Sequence, residues 1–150
     1  MEEEREGCAR DGGRRPGFLI RRLHQIYEAL FAEECAGMEV SPLQYSLMCV
    51  AEQQPGMDLA QICAQIAIDR ATLGHLVERL EAAGLLKRTV SLLDRRQKLL
   101  SLTLKGEGLL RDLHEPAARA DRRLFEGLAP AEHVAFRAML RAAVAAGRGR

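Results

Sequence analysis

The chain has 150 residues, the usual size of one domain, and 47% of them are hydrophobic and 29% charged. These values are close to the averages for soluble globular proteins, and they exclude a disordered chain, a collagen-like chain and a disulfide scaffold. The 22 lysines and arginines nearly balance the 21 aspartates and glutamates, for a formal net charge of +1. Overall charge therefore favours neither a nucleic-acid nor a membrane partner, and such a partner has to be inferred from where the charges lie.

The start of the chain and its cysteines bear on the cellular compartment. The first residues are acidic and rich in glycine, whereas a signal peptide is basic and then apolar. No stretch approaches the roughly 18 apolar residues that a membrane-spanning helix needs. The four cysteines, at positions 8, 35, 49 and 63, form no CxxC pair, so they indicate neither a zinc site nor a disulfide framework. We expect a cytoplasmic protein with no membrane contact, no metal and no cofactor.

The first predicted element is a helix over residues 16–36. Residues 1–15 have no apolar periodicity, and we interpret them as a mobile tail before a single domain at 16–146. An apolar stripe at helical spacing follows, and Gly37 is a suitable stop. The stripe consists of Leu19, Leu23, Ile26, Tyr27 and Leu30.

Three short helices are predicted next, each introduced by a capping residue. Ser41 with Pro42 begins the second helix, which ends before Pro55. Asp58 caps the third and Asp69 the fourth, and both have apolar residues at i, i+3, i+4 and i+7. Because a tight turn joins the third and fourth helices, the sequence predicts a helix-turn-helix.

After Gly84 the apolar period changes from 3.6 to 2, which predicts a two-stranded hairpin over about 86–92 and 98–102. Residues 86–98 include five basic residues and a single acidic one, Asp94, for a local charge of +4. The basic residues are Lys87, Arg88, Arg95, Arg96 and Lys98. Thr103 is predicted to cap a long helix that Pro116 bends, and Pro130 begins a last helix that stops at Gly147.

The fourth helix has the face that reading duplex DNA requires. Its apolar residues would pack on the domain, which leaves a polar N-terminal turn that fits the major groove, where arginine reads guanine. Gly74 inside this helix fits a close approach to DNA, and Asp94 could orient an arginine of the hairpin. The candidate DNA-binding residues are Arg70, Ala71, Thr72, Gly74, His75, Arg79, Lys87, Arg88, Asp94, Arg95 and Arg96. The alternative is a solvated helix face and a solvated turn.

Residues 94–106, DRRQKLLSLTLKG, match the pattern DxRxxxxxLTxxG, the wing motif of the MarR family of bacterial transcription regulators. Residues 69–72 and 76–88 resemble that family's recognition helix and first wing strand, and the resemblance covers about 16–146. It implies a mainly α fold with a small β-hairpin wing, a winged helix-turn-helix at about 42–103, and dimerisation helices at 16–36 and 104–146. It also implies a homodimer that binds a near-palindromic operator, most simply as a repressor. The apolar last helix independently favours a dimer.

The resemblance further implies release from DNA by a small anionic aromatic compound. The segment PGFLIRRLHQ is similar to members that regulate the catabolism of aromatic acids. An aromatic carboxylate needs an apolar slot with a cation and hydrogen-bond donors. The candidate ligand-binding residues are Arg21, Arg22, His24, Tyr27, Tyr45 and Met48. The alternative for the two arginines is a solvated face or a contact with the DNA backbone.

Three other functions are weaker alternatives. In the family that the chain resembles, some members sense peroxides through a cysteine at the start of the first helix, where this chain has none. A thiol-based redox-sensing regulator is therefore less favoured, and Cys49 and Cys63 lie at apolar positions. A helical interaction dimer that does not bind DNA would leave the basic hairpin unexplained. An enzyme is not expected, because the chain has no GxSxG, P-loop or HExxH motif.

Overall fold

The computed structural model describes residues 15–147. In this range the elements are α1 (Pro16–Glu34), α2 (Pro42–Gln53), β1 (Met57–Asp58), α3 (Leu59–Ile66), α4 (Arg70–Ala82), β2 (Leu86–Val90), β3 (Lys98–Leu102), α5 (Leu104–Leu124) and α6 (Pro130–Gly147). The mainly α fold class with a small β-hairpin is confirmed. The tail predicted for 1–15 lies, except for its last residue, outside the described residues. No helix within 15–147 is both long and apolar enough to cross a membrane.

The structure confirms the predicted starts of α2, α3 and α4, and at each of them a side chain caps the first turn. Ser41 and Asp58 each form a capping box with the glutamine three residues later. Asp69 accepts from the backbone N–H of Thr72 at 2.9 Å. Gly84 has the positive φ, 73°, that a helix stop favours. The first helix ends at Glu34, two residues before the predicted end.

The predicted hairpin is confirmed, because β2 pairs antiparallel with β3. The sheet also has a third strand that was not predicted, in the order β1-β3-β2. β1 pairs antiparallel with β3, with Met57 opposite Leu100. Its two residues are too few to show an alternating pattern. The hairpin strand β2 ends at Val90, not at Leu92, because the Ser91 hydroxyl accepts from the backbone N–H groups of Leu93 and Asp94 and so begins the turn.

The chain divides into two compact units, which are described separately. The unit at 31–117 contains α2 to β3 and has a continuous apolar core. Its fully buried side chains include Phe31, Leu47, Met48, Ile62, Leu73, Val77, Leu100, Leu110 and Leu113. The buried face of α4 consists of Leu73, Val77 and Leu80, as its spacing predicts, while Leu76 is half-buried. This packing fixes which face of α4 points to solvent.

The other unit contains, among the described residues, 15–30 and 118–147. Here the Nε2 of His133 lies 2.8 Å from the carbonyl oxygen of Phe125 and 2.9 Å from that of Leu128. Helix α6 has no buried residue, and its exposed apolar side chains include Val134, Met139, Leu140 and Val144. The dimer remains a prediction, which these uncovered side chains favour. Helix α5 continues through Pro116.

Candidate nucleic-acid interface

The N-terminal turn of α4 presents the predicted DNA-reading residues to solvent. Arg70, Ala71, His75 and Arg79 are exposed, and Thr72 and Gly74 are half-buried. The Asp69 carboxylate accepts from the backbone N–H of Thr72 at 2.9 Å and from its hydroxyl at 2.6 Å. These hydrogen bonds stabilise the ionised form and lower the pKa of Asp69. The capping interaction thus sets both the start of the helix and the position of the Thr72 hydroxyl.

The wing turn between β2 and β3 is held by hydrogen bonds to its own backbone. The buried Ser91 hydroxyl accepts from the N–H groups of Leu93 and Asp94, at 3.2 and 3.3 Å. The Asp94 carboxylate accepts from the backbone N–H of Arg96 at 2.9 Å. Asp94 therefore stabilises the turn by accepting from the backbone of Arg96. From the sequence we expected its carboxylate to orient a guanidinium, and the structure gives it this backbone contact instead. Arg95 and Arg96 are exposed.

A groove joins the two predicted DNA-contacting segments. Its volume is about 690 Å³, and it is lined by Arg70 and Ala71 of α4, by Arg96, Gln97 and Lys98 of the wing, and by Asp58, Leu59 and Ala60. Three cations thus line a concave surface with one carboxylate, and that carboxylate accepts the Gln61 backbone N–H at 2.8 Å. A surface of this charge suits a polyanion.

Arg88 has a structural partner that its spacing did not reveal. Its Nε and Nη2 donate to the two carboxylate oxygens of Glu81, at 2.9 and 2.6 Å. This pairing raises the pKa of Arg88 and joins β2 to the last turns of α4. A contact between Arg88 and DNA would have to share a guanidinium that Glu81 already binds. Lys87, its neighbour, is exposed.

The LTxxG part of the wing motif has a structural role. The Thr103 hydroxyl donates to the Gly84 carbonyl at 2.6 Å and accepts from the Gly106 N–H at 3.0 Å. A Cβ on Gly106 would collide with the Leu85 carbonyl oxygen. Only glycine allows the first turn of α5 to approach the backbone between α4 and β2 this closely.

The candidate ligand residues on α1 lie near the surface. Arg21, Arg22 and His24 are exposed and Tyr27 is half-buried. The His24 Nε2 lies 3.4 Å from a carboxylate oxygen of Glu28. The two guanidinium groups are therefore accessible to an anion in the described chain.

The candidates on α2 differ from each other. The Tyr45 hydroxyl lies 3.1 Å from the Nδ1 of His114, and the other ring nitrogen of His114 is 3.8 Å from a carboxylate oxygen of Glu52. Met48 is fully buried in the core and offers no surface to a ligand in this structure. His114 was missed as a partner because it is 69 positions from Tyr45 and no local pattern links them.

Cys49 and the metal-binding side chains are the candidates for a second site in the described range. Burial raises the pKa of Cys49, and the hydrogen bond with Tyr45 only partly offsets this. A raised pKa lowers the thiolate fraction, which disfavours a redox-sensing role for Cys49. Between residues 15 and 147 no three His, Cys, Asp or Glu side chains are grouped so that they could hold a metal ion.

The chain is similar to known transcriptional regulators in sequence and in structure. The sequence profile of the MarR family matches residues 40–98. The HTH-type transcriptional repressor NicR of Pseudomonas putida is 31% identical over 126 residues, which are 83% of this chain and 79% of NicR.

Two solved structures give the same result. The structure of BpsR of Bordetella bronchiseptica, whose DNA binding is regulated by 6-hydroxynicotinic acid, has 31% identity and a TM-score of 0.84 over 89% of this chain and 95% of that one. The repressor CouR bound to a 23-mer DNA duplex has 28% identity and a TM-score of 0.83 over 90% and 97%. With its winged helix-turn-helix fold and these relatives, the chain belongs to the MarR family of transcriptional regulators.

Proposed function

We propose that this protein is a DNA-binding transcriptional repressor that acts as a homodimer on a near-palindromic operator and is released by a small aromatic acid. The groove that joins the N-terminus of α4 to the wing carries the DNA-binding part of the proposal, because Arg70, Arg96 and Lys98 line one surface. The similarity to NicR, a named repressor, and to CouR on duplex DNA supports the same function.

The two segments would contact different parts of the duplex. The start of α4 enters the major groove, where Arg70 reads guanine and His75 and Thr72 reach base edges. Ala71 contacts a thymine methyl group, and Gly74 allows the backbone to come close. On the wing, Arg95 and Arg96 meet the minor groove or the phosphates, and Lys87 and Arg79 meet phosphates.

The uncovered apolar residues of α1 and α6 support the homodimer. Phe18, Leu19 and Ile20 of α1, and Val134 and Met139 of α6, are all exposed in the single chain. Large apolar side chains that a single chain leaves exposed on two helices favour association with a second chain. A two-fold dimer carries two copies of the α4 and wing surface, and it therefore requires an operator with two related half-sites.

The side chains of the candidate ligand-binding residues suit an aromatic acid as the compound that releases the protein from DNA. An exposed arginine, Arg21 or Arg22, can bind a carboxylate through two hydrogen bonds. His24 and Tyr27 lie on the same helix as the arginines. In the other compact unit, the Tyr45–His114 pair can separately exchange hydrogen bonds with a ring hydroxyl. BpsR, whose DNA binding is regulated by 6-hydroxynicotinic acid, supports this class of ligand.

Fluorescence anisotropy tests DNA binding, with duplexes that the protein itself enriches from random-sequence DNA and with unselected duplexes, at two salt concentrations. Arg96→Ala should weaken both and lower the salt slope by about 1, because a wing arginine meets backbone charge. Arg70→Ala should reduce discrimination by about 1–3 kcal/mol. Arg111→Ala, at an exposed arginine that does not line the groove, is the control. Absent or salt-independent binding would contradict the proposal.

Titration of the protein–DNA complex with 6-hydroxynicotinate, salicylate, 4-hydroxybenzoate and 4-hydroxycinnamate tests the release step, and benzyl alcohol serves as the uncharged control. At least one acid should release the DNA. Tyr45→Phe, Arg21→Ala and Arg22→Ala should then separate ligand contacts from DNA contacts. Substitution of a residue that binds the ligand should raise the concentration of acid needed for release. It should leave the affinity for DNA in the absence of acid unchanged. DNA binding that none of the acids affects would contradict this part of the proposal.

A further inference from the structure

Two adjacent leucines at the tip of the wing project fully into solvent. Leu92 is 101% exposed and Leu93 is 99% exposed, more than any other large apolar side chain described as exposed between residues 15 and 147. A neighbouring pair of uncovered leucines is costly to hydrate, because the transfer of apolar surface out of water is favourable. The folding of the wing does not use them, so their cost points to a partner that covers them.

The turn holds both leucines in this position before any partner binds. Ser91, immediately before them, is only 6% exposed, and its hydroxyl accepts from the N–H groups of Leu93 and Asp94. The backbone N–H of Ser91 donates to the Gln97 carbonyl, which closes the turn behind the pair. A partner would therefore meet an ordered tip, and little conformational entropy would be lost on binding.

The charges around the tip indicate the partner. Arg95 and Arg96 follow the leucines, and Lys98 stands at the start of β3, while the carboxylate of Asp94 is bonded to the Arg96 N–H. An apolar pair within a cationic rim fits a partner with anionic groups outside and apolar faces inside. Duplex DNA has this arrangement, with stacked bases between two rows of phosphates. Arg96 and Lys98 also line the groove shared with Arg70, so the tip is continuous with the proposed DNA surface.

We propose that Leu92 and Leu93 form an apolar wedge that enters the minor groove beside Arg96 and partly unstacks one base step. The inference rests on the proposed function, because it requires the wing to meet DNA. A wedge of this kind bends the duplex and favours flexible pyrimidine–purine steps. The protein would then select its operator partly by deformability, at a step with which it forms no hydrogen bond.

The test uses the full chain on a duplex that it has enriched from random DNA, with 2-aminopurine placed in turn at each step along the wing-contacted minor grooves. Binding should raise the 2-aminopurine fluorescence at one step in each half-site, and energy transfer between end labels should report a bend. The double variant Leu92→Ala, Leu93→Ala should lose both signals and about tenfold in affinity. Leu104→Ala, at a leucine that is 86% exposed at the start of α5, is the matched control.

Several results would overturn the wedge. One is a double variant that binds, bends and unstacks DNA as the parent does, while Arg96→Ala still weakens binding; this leaves the proposed function intact. Another is binding to phosphatidylglycerol vesicles that depends on the two leucines, with no change on DNA, since it assigns the tip to a membrane. If the parent chain binds no duplex, the proposed function itself fails, and the wedge fails with it. Equal thermal stability of the variants excludes misfolding as the cause of a loss.

Discussion

The guanidinium group of Arg88 lies against the carboxylate of Glu81, with two parallel hydrogen bonds of 2.9 and 2.6 Å. Both side chains are about one quarter to one third exposed. The pair connects α4 to the first wing strand across the turn at Gly84. The orientation of the wing relative to α4 therefore depends on a charged pair as well as on the apolar core.

Arg88→Ala should lower the free energy of unfolding by about 1–3 kcal/mol, because it leaves the half-buried Glu81 carboxylate without its partner. Urea unfolding of the two single variants and of Arg88→Ala, Glu81→Ala measures the coupling, which should be about 1 kcal/mol. Lys87→Ala, at the exposed neighbour, should change the stability by less than about 0.5 kcal/mol. Strictly additive effects of the two single substitutions would show that the pair contributes nothing.

Features that depend on neighbours along the chain could be predicted from the sequence. The caps at Ser41, Asp58 and Asp69 each join residues three apart, and all three lie where the spacing predicted. β1 was missed because it is recognisable only through its partner on β3, far along the chain. The Tyr45–His114 contact was missed for the same reason.

The roles of single side chains in the site were harder to predict than its position. The sequence predicts that the start of α4 and the basic turn both contact DNA, and in the structure Arg70 and Arg96 line the same groove. The sequence led us to expect that Asp94 orients a guanidinium, but a carboxylate two residues before an arginine can accept from the guanidinium or from the backbone N–H. The geometry of the turn selects the N–H.

Gly106→Ala should destabilise the fold by about 1–3 kcal/mol or more, because the new methyl group would collide with the Leu85 carbonyl, a backbone atom that cannot move independently. Gly108→Ala, two residues further along the same helix, is the matched control. Its Cβ would meet only the end of the Arg111 side chain, at 3.9 Å, so it should stabilise the helix by about 0.5–1 kcal/mol. Thermal unfolding of both variants measures the contrast. Equal effects would contradict the close approach of Gly106 to Leu85.

Asp69 should make the stability of α4 depend on pH. Its pKa is lowered in the folded chain by the hydrogen bonds from Thr72. The ionised cap therefore contributes its full stabilisation above the ordinary aspartate pKa, and that stabilisation is lost as the pH falls from there through the lowered pKa. Asp69→Asn keeps a cap that does not titrate, and Asp69→Ala removes the cap.

Acid unfolding followed by circular dichroism compares these variants with the parent. Both should lose the contribution that Asp69 makes to the pH dependence, which lies below the ordinary aspartate pKa. At neutral pH the asparagine variant should be more stable than the alanine variant. A parent and an asparagine variant with identical acid profiles would contradict the role of Asp69.

Gly74→Ala should raise the stability of the fold and lower the affinity for DNA. A Cβ at this position meets nothing within 4 Å, so the substitution should gain about 0.5–1 kcal/mol of helix propensity. Apart from the backbone of its own helix and its two chain neighbours, no atom of the described chain lies within 4 Å of a Cβ built on Gly74. In the proposed complex, a base edge or a sugar of the DNA occupies this space. The added methyl group should weaken binding to the enriched duplex, as measured by fluorescence anisotropy.

Gly108→Ala should give a similar gain in stability with unchanged affinity, since it lies outside the groove. If Gly74→Ala keeps the parent affinity, DNA does not approach α4 closely at this position, and the glycine has no part in recognition.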